Sequence, residues 1–232
     1  MTAAHVQAAL DALADPARAV LLQRFFKTGP GDYGEGDRFL GLNLPQQREV
    51  ARHFKTLPLP ETEQLLTSPW HEHRQTALII WTLQYAKAGP AGRQAIHEAY
   101  LQNRQRVNNW NLVDITCPLL LGTHLLHQDR SLLYELTAEN HLWSQRMSIV
   151  ATLAFIRKRQ LQDTFAIAEQ LLSHPHDLIH KATGWMLREA GKRSEEALEE
   201  FLADHRGLLP RTTLRYAIEK LEPARRHWHL MS

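Results

Sequence analysis

The residues best suited to chemistry in this chain are Trp110 and Asp114, within the polar and apolar segment of residues 109–115. If this segment is helical, both side chains project from one face, because residues four apart are neighbours on a helix surface. A carboxylate stabilises a cation through its charge, and an indole does so through the negative face of its ring. An aspartate among aliphatic neighbours is costly to bury without a partner or a purpose. The pair therefore predicts a site that favours positive charge.

Composition excludes several classes of protein. The chain has 232 residues, of which 44% are hydrophobic and 22% charged, as in ordinary globular proteins. No apolar run is long enough to span a bilayer, and residues 1–7 lack the basic and apolar regions of a secretory signal. The single cysteine, Cys117, rules out an internal disulfide and fits a reducing compartment. We therefore expect a cytoplasmic protein with no membrane partner, in which Cys117 is a packed core thiol.

The distribution of charge is more informative than its sum. A formal net charge of +2 does not by itself indicate a nucleic-acid partner. Acidic residues of the C-terminal part are concentrated in the stretch 195–204, and the rest of residues 141–232 is clearly basic. This leaves room for a polyanion-binding surface in the C-terminal part.

Apolar residues recur every three or four positions, and strand-like alternation is almost absent, so the sequence predicts an all-α fold. Asp15 and Ser68 stand where helix N-caps belong. Prolines stand where helices should open, as they commonly do at the first helical position: Pro16, Pro45, Pro60, Pro69, Pro90 and Pro210.

The helices are expected to repeat in pairs. The first helix of each pair is predicted near Trp70, Asn108, His141, Asp177 and Pro210, at spacings of roughly 33–38 residues. That period is typical of α-α superhelices of the HEAT or armadillo kind, which present a concave binding face. We expect one domain over 1–232, with N-terminal helices and a Gly-rich loop in 1–60 and helix-pair repeats in 69–222.

Charged residues occupy similar places in the successive first helices: Arg74, Asp114, Arg146, Lys181 and Arg215. Two interpretations remain open. These side chains are either solvated ends of amphipathic helices, as most helical charges are, or a cationic track for a polyanion along a concave wall.

The glycine-rich segment 28–41 interrupts the helical pattern and holds five of the 11 glycines. It lacks the Gly-Lys-Ser/Thr ending of a phosphate-binding P-loop and follows no strand. A structural connector is the first interpretation. The alternative is a loop whose backbone amides, Tyr33 or Arg38 reach a phosphate.

Histidines raise the question of a metal. His71 and His73 flank Glu72, and His176 and His180 stand four residues apart, a spacing compatible with zinc. The sequence contains no His-Glu-x-x-His motif and no cysteine pair, so we interpret these histidines as solvated surface residues. No metal and no cofactor is expected.

Several segments of the chain resemble the AlkD-like DNA alkylation repair proteins, which are DNA glycosylases built from HEAT-like helical repeats. These segments are residues 33–41, 109–114, 142–147, 180–193 and 210–220. The resemblance runs from Tyr33 to Ala217. In that family a cleft holds a tryptophan and an aspartate four residues apart, an arginine in the next repeat and a second tryptophan in the one after. The matching residues here are Trp110, Asp114, Arg146 and Trp185. Asn111 stands where the family often has an aspartate.

The resemblance implies a monofunctional glycosylase that removes N3- and N7-alkylated purines from double-stranded DNA in base excision repair. Asp114 would stabilise the oxocarbenium-like sugar and position water, while Trp110 and Trp185 would pack on the sugar and backbone. Arg146 would hold a phosphate beside the lesion, and the damaged base would stay stacked. Weaker candidates for backbone contacts are Lys181, Arg188, Arg211, Arg215, Tyr33 and Arg38. We expect a monomer, associated with the nucleoid when bound to DNA.

Three alternatives remain at this point. The tryptophans could be ordinary core residues, and Asp114 with Arg146 could be a structural ion pair between repeats. The whole chain could also be a non-catalytic helical-repeat module that binds DNA structures or proteins.

Overall fold

The computed structural model describes residues 1–231, and their regular structure is helical. The α-helices are α1 (Ala3–Asp11), α2 (Pro16–Phe25), α3 (Leu44–His53), α4 (Leu59–Leu66), α5 (His71–Lys87), α6 (Pro90–Gln102), α7 (Trp110–Cys117), α8 (Ser131–Ala138), α9 (Leu142–Ala151), α10 (Leu153–Ile156), α11 (Gln162–Gln170), α12 (Asp177–Gly191), α13 (Glu195–Asp204), α14 (Arg211–Ala217) and α15 (Pro223–Met231). Short 3-10 helices lie at Arg104–Arg106, His124–His127 and Ile218–Lys220, and a π-helical segment runs over Pro118–Thr123. The all-α prediction is confirmed.

The helices group into two compact units, Met1–Thr116 and Cys117–Ser232. In the first unit α5 is buried from His71 to Trp81, packs against α3 and α4, and carries the fully buried Trp81. The second unit has its core around Phe155, where α9, α11 and α12 pack together. Cys117 is fully buried there and its thiol donates to the Met147 carbonyl at 3.1 Å, which confirms the core thiol.

Helix starts follow the predicted chemistry except at Ser68, Pro69 and Pro210, of which Pro210 is the N-cap of α14 and not its first residue. Asp15 caps α2 by accepting a hydrogen bond from the Arg18 amide at 3.0 Å, as expected. Ser68 is not a helix cap, because α5 begins at His71 with Trp70 as its N-cap. The Ser68 hydroxyl instead accepts from the Trp70 amide at 3.2 Å and bonds to a histidine ring, so Pro69 also lies outside the helix.

The observed helix starts agree with the predicted spacing. Five predicted positions fall within two residues of the beginnings of α5, α7, α9, α12 and α14. In the second unit α9 packs on α12 and α12 on α14, so first helices of successive pairs lie side by side. The concave DNA-binding face stays a prediction. Within residues 1–231, no helix combines the length and the apolar character that crossing a membrane requires.

Candidate functional site

Trp110 and Asp114 lie on α7 and line the same cavity of about 300 Å³, which belongs wholly to the first unit. This confirms that the two side chains share a helix face. Four other elements complete the wall: α2, α3, α5 and the end of the glycine-rich loop. The residues they supply are Arg18, Leu22, Phe26, Phe39, Leu42, Asn43, Leu44, Gln47, His71, Glu72 and Gln75.

The indole of Trp110 is held by aromatic neighbours. Phe26 stacks on it with ring centroids 5.4 Å apart and planes inclined by 28°. Phe25 meets it edge-on at 6.1 Å, and the indole Nε1–H donates to the Tyr33 hydroxyl at 3.3 Å. Because the ring is supported on several sides but only half-buried, its orientation is fixed while part of it stays open to a ligand.

Asp114 is half-buried in the same wall, one helical turn after Trp110. Apolar side chains from three elements, Leu22, Leu42 and Ile115, line the cavity with it. A carboxylate in such partly apolar surroundings interacts more strongly with a nearby positive charge than it would in open water. The cavity can therefore stabilise a cation at Asp114.

A buried ion pair between Asp37 and Arg74 lies beside the cavity-wall residue His71. Asp37 is 6% exposed and accepts hydrogen bonds from Arg74 Nη2 at 2.7 Å and from Asn108 Nδ2 at 3.2 Å. Burial raises the pKa of Asp37, but its bond to His71 and the Arg74 cation outweigh this and hold the pKa below its usual range. Asp37 therefore stays ionised, and Arg74 is neutralised inside the protein.

Arg74 therefore does not belong to the cationic track that the sequence suggested. Its guanidinium is only 4% exposed, and besides Asp37 it donates to the Ser68 carbonyl at 3.0 Å. A buried cation already paired with a carboxylate adds little to the field at the surface. The first member of the predicted cationic series is therefore structural.

His71 lies in the cavity wall between Asp37 and Asn111. The Asn111 amide Nδ2 donates to His71 Nε2 at 2.9 Å, so this ring nitrogen is the acceptor. The other ring nitrogen, Nδ1, carries the proton and donates to Asp37 at 3.1 Å. Burial lowers the pKa of His71, which favours the same neutral form. The wall beside Asp114 therefore contains a neutral imidazole.

The glycine-rich loop is fixed to α5 by Glu72. The buried Glu72 carboxylate accepts from the amides of Leu40 and Gly41 at 2.9 Å and of Leu42 at 3.2 Å. Gly41 has φ +93°, and a Cβ there would lie 2.1 Å from the Asp15 carbonyl oxygen, so only glycine fits. These contacts favour the connector interpretation for the loop end, which places Phe39 and Leu42 in the cavity wall.

The interpretation of His71 and His73 as solvated surface residues was wrong. They are 1% and 3% exposed, because the start of α5 is buried on all sides. The His73 ring bonds to Asp11 through Nε2 at 3.0 Å and to Ser68 through Nδ1 at 2.8 Å. His176 and His180 are half-buried, His176 as the N-cap of α12.

The second unit carries Arg146 and Trp185. Arg146, on α9, is 5% exposed and its Nη1 donates to the Leu178 carbonyl, which orients the guanidinium. Trp185, on α12, is half-buried. The preceding Gly184 allows α12 to approach α14, since a Cβ there would lie 2.5 Å from the Tyr216 Cβ. Both residues therefore have well-defined positions within their own unit.

The remaining candidates for DNA contacts differ in exposure. Lys181 is 42% exposed and pairs with Asp177 at 2.8 Å, which lowers the pKa of that carboxyl. Arg188 is bonded to Glu219 and lies near Glu189. Three arginines are exposed: Arg38 in the loop, and Arg211 and Arg215 on α14. Of the candidates in the second unit, Arg211 and Arg215 on α14 are therefore the most exposed, whereas Lys181 and Arg188 on α12 are already paired with carboxylates.

A model of the family described as DNA alkylation repair enzyme matches residues 6–221, which is most of the chain. The chain belongs to the DNA alkylation repair enzyme family. This membership supports a role in repair of alkylated DNA, an enzymatic activity and DNA as the substrate, as the resemblance implied.

A solved structure from the same class of proteins shows the same fold. It is a predicted DNA alkylation repair enzyme from Enterococcus faecalis, similar over 90% of this chain and 97% of that chain, with a TM-score of 0.69. The sequences share only 16% identity, so the likeness concerns the fold alone. No curated protein matches the chain.

Several residues of the cavity wall were not anticipated from the sequence. Phe26, Phe39 and His71 form stacked pairs with centroids 4.6–5.3 Å apart, and Phe26 joins this stack to Trp110. The only sequence signal was their position near the predicted loop, because rings from three separate segments meet only after folding. Glu72 was overlooked for the same reason, since its partners are backbone amides some 30 residues away.

Proposed function

We propose that this member of the DNA alkylation repair enzyme family is a monofunctional DNA glycosylase. Its substrate would be duplex DNA carrying N3- or N7-alkylated purines, and its reaction the hydrolysis of their N-glycosidic bond in base excision repair. The observation that carries the proposal is the shared position of Trp110 and Asp114 in one cavity of about 300 Å³. A carboxylate beside a supported indole suits a transition state that is positively charged.

Asp114 is assigned the central role. In an alkylated purine the base carries positive charge, so the C1′–N bond breaks with its electron pair passing to the base, which leaves neutral. Positive charge then develops on the deoxyribose, as in other glycoside hydrolyses, and the Asp114 carboxylate stabilises it. Water bonds to C1′ and loses a proton to Asp114 or to solvent. No lysine nucleophile is involved, so the DNA strand stays intact.

Trp110 complements the carboxylate. Its ring, stacked on Phe26 and bonded to Tyr33, offers a rigid face to the sugar and excludes water from one side of it. The negative face of an indole also favours a cation close to it. Because the cavity wall offers a face rather than a deep slot, we propose that the damaged base stays stacked in the duplex and that contacts go to the backbone.

Two other titratable side chains of the cavity wall, Glu72 and His71, do not take over this role from Asp114. Glu72 already accepts three backbone hydrogen bonds, so its charge is compensated by the amide dipoles of the loop. His71 is neutral, and an imidazolium at the same place would oppose a cationic sugar. Among the acidic and imidazole side chains of the wall, we therefore assign the stabilisation of positive charge to Asp114.

Contacts with the DNA backbone are proposed for the candidates of both units. Arg146 would hold a phosphate, as the family resemblance implies. Trp185 would pack on the sugar and backbone. Weaker contacts are assigned to Lys181, Arg188, Arg211, Arg215, Tyr33 and Arg38. We propose that the protein acts as a cytoplasmic monomer without a cofactor and joins the nucleoid when it binds DNA.

The experiment is a measurement of free base released from duplex DNA containing N7-methylguanine. The wild type is expected to release the base and leave an abasic site in an unbroken strand. Asp114→Asn keeps the size of the side chain but removes its charge, and should lower the rate by about 10²–10³-fold. Asp204→Asn, at an exposed position on α13, is the matched control and should release base at the wild-type rate.

The rival is a non-catalytic DNA-binding module, and the same experiment separates it. Tight binding by the wild type without base release would refute the glycosylase. Equal release by the wild type and Asp114→Asn would leave the glycosylase standing but remove the role assigned to Asp114. Binding that does not weaken as salt rises would argue against contacts with phosphates.

A further inference from the structure

Helix α2 is unusual because none of its residues is buried, although it carries several large apolar side chains. Leu21 and Phe25 are each 63% exposed and Val20 is 49% exposed. Large apolar residues grouped on one exposed helix usually mark a surface that binds something. The proposed glycosylase site does not account for this group.

Arginines flank the apolar side chains on the same helix. At about 100° per residue, the order around the α2 axis is Arg24, Leu21, Phe25 and Arg18. Both arginines are exposed, and among residues 1–231 neither takes part in an ion pair. Helix α2 itself contains no acidic residue. We call Leu21, Phe25, Arg18 and Arg24 the α2 strip.

The α2 strip is continuous with the mouth of the Asp114 cavity. Arg18 lines the cavity at one side of the strip, and Phe25 meets the Trp110 ring edge-on at 6.1 Å. A ligand that reached the open face of Trp110 would therefore approach Phe25 as well. The strip lies where a chain entering or leaving the cavity would pass.

We propose that the α2 strip binds the sugar-phosphate backbone of duplex DNA next to the damaged nucleotide. Leu21 and Phe25 pack on deoxyribose rings, and Arg18 and Arg24 each hold a phosphate. This assignment rests on the proposed function for the identity of the ligand as DNA. It adds to that function a contact surface, made by the N-terminal helices, that positions the lesion over Asp114.

The spacing of the strip fits this ligand. Arg18 and Arg24 are six residues apart, which on an α-helix is a rise of about 9 Å. Nucleotides of one strand advance by about 3.4 Å each along the duplex, so the two arginines span two to three phosphates. The apolar pair between them meets the intervening sugars.

A membrane surface would require a different pattern. Helices that lie in a bilayer interface keep their cations on one face and a broad apolar face on the other. In α2, Arg24 lies between Val20 and Leu21 around the axis, so a cation interrupts the apolar face. The helix is also tied down at its start, where the Asp15 amide donates to the Leu40 carbonyl at 2.8 Å. Alternating cations and apolar groups suit a nucleic-acid backbone better.

The test uses the single native cysteine. Cys117 is fully buried, so a cysteine placed at Leu21 is the only accessible thiol in the intact protein. Leu21→Cys is treated with a maleimide in the presence and absence of a duplex carrying N7-methylguanine. Ala95→Cys is the matched control, because Ala95 is exposed on α6, a helix that contributes no residue to the described cavity wall.

The expected result is protection of the cysteine at position 21 alone. At a duplex concentration ten times its Kd, modification of Leu21→Cys should slow by about tenfold, and modification of Ala95→Cys should not change. Unchanged labelling at position 21 while the protein binds DNA would overturn the proposal. So would equal protection of both cysteines, failure of the wild type to bind duplex DNA, or protection by vesicles of anionic phospholipid but not by DNA.

A second measurement examines the cations. Arg24→Gln should reduce the slope of log Kd against log salt by about one phosphate contact, whereas Arg52→Gln on α3 should leave it unchanged. An unchanged slope for Arg24→Gln would overturn the phosphate contact. Base release by the wild type is measured in parallel. If the cysteine at position 21 is protected but no base is released, the glycosylase is refuted and the α2 strip is supported. If base is released but the cysteine is not protected, the α2 strip is refuted and the glycosylase is supported.

Discussion

The side-chain amide of Asn111 donates a hydrogen bond to Nε2 of His71 at 2.9 Å, within the wall of the cavity that contains Asp114. The ionised Asp37 accepts from the other ring nitrogen, Nδ1, so the two contacts together fit an imidazole that is protonated at Nδ1. A neutral ring results. An aspartate at position 111 would add a negative charge to this part of the cavity wall.

Asn111→Asp tests this relationship directly. A carboxylate beside Nε2 would favour a proton there, so the pKa of His71 should rise relative to that of the wild type. The shift can be followed by NMR titration of the histidine ring protons. Asn140→Asp, at an exposed position before α9, serves as control and should leave His71 unchanged. An unaltered His71 titration in Asn111→Asp would show that the hydrogen bond does not set the protonation state.

Stability should decrease below neutral pH because of two buried histidines. Burial lowers the pKa of both His71 and His73 below the unfolded value of 6.5. The unfolded chain therefore binds more protons as pH falls through about 6.5, and stability is lost from there down to the folded pKa values. Each such group contributes a slope of at most about 1.4 kcal/mol per pH unit.

His73→Gln isolates one of these contributions. Its free energy of unfolding should depend less steeply on pH between 7 and 5 than that of the wild type, when both are measured by urea unfolding at fixed ionic strength. His227→Gln, at an exposed position on α15, is the control and should keep the wild-type slope. A wild type whose stability does not change between pH 7 and 5 would contradict the prediction.

The adjacent residues Phe25 and Phe26 should differ sharply in their contribution to stability. Phe26 is 7% exposed and stacks on Trp110, Phe39 and His71, whereas Phe25 is 63% exposed. Phe26→Ala leaves a cavity and should lower the free energy of unfolding by about 3–5 kcal/mol. Phe25→Ala should cost less than about 1 kcal/mol. Chemical denaturation measures both, and similar losses would contradict the assigned packing.

Local signals in the sequence were sufficient for the helices and for the shared face of Trp110 and Asp114. Helical periodicity and the cap at Asp15 depend only on neighbours within a few residues, so the sequence predicts them correctly. The repeat starts were predicted for the same reason, since the helix pairs follow one another at a steady spacing.

The burial of polar residues could not be predicted in this way. His71 and Arg74 stand on α5 in a pattern typical of a solvated helix, yet both are buried because Asp37, 34 and 37 residues away, pairs with them. A long-range partner of this kind leaves no periodic signal. Ser68 has the residue type of a helix cap, but in the structure its hydroxyl bonds to the His73 ring instead.

Glu72 should prove essential for the loop that completes the cavity wall. In Glu72→Gln one acceptor oxygen is replaced by an NH₂ donor, so at least one of the amides of Leu40, Gly41 and Leu42 loses its partner. A buried amide without a partner costs about 1–3 kcal/mol, and urea unfolding should show a loss of this size. Hydrogen exchange should accelerate at these amides more than in the helices of the second unit. Glu49→Gln, exposed on α3, is the control, and equal exchange in both variants would exclude the anchoring role of Glu72.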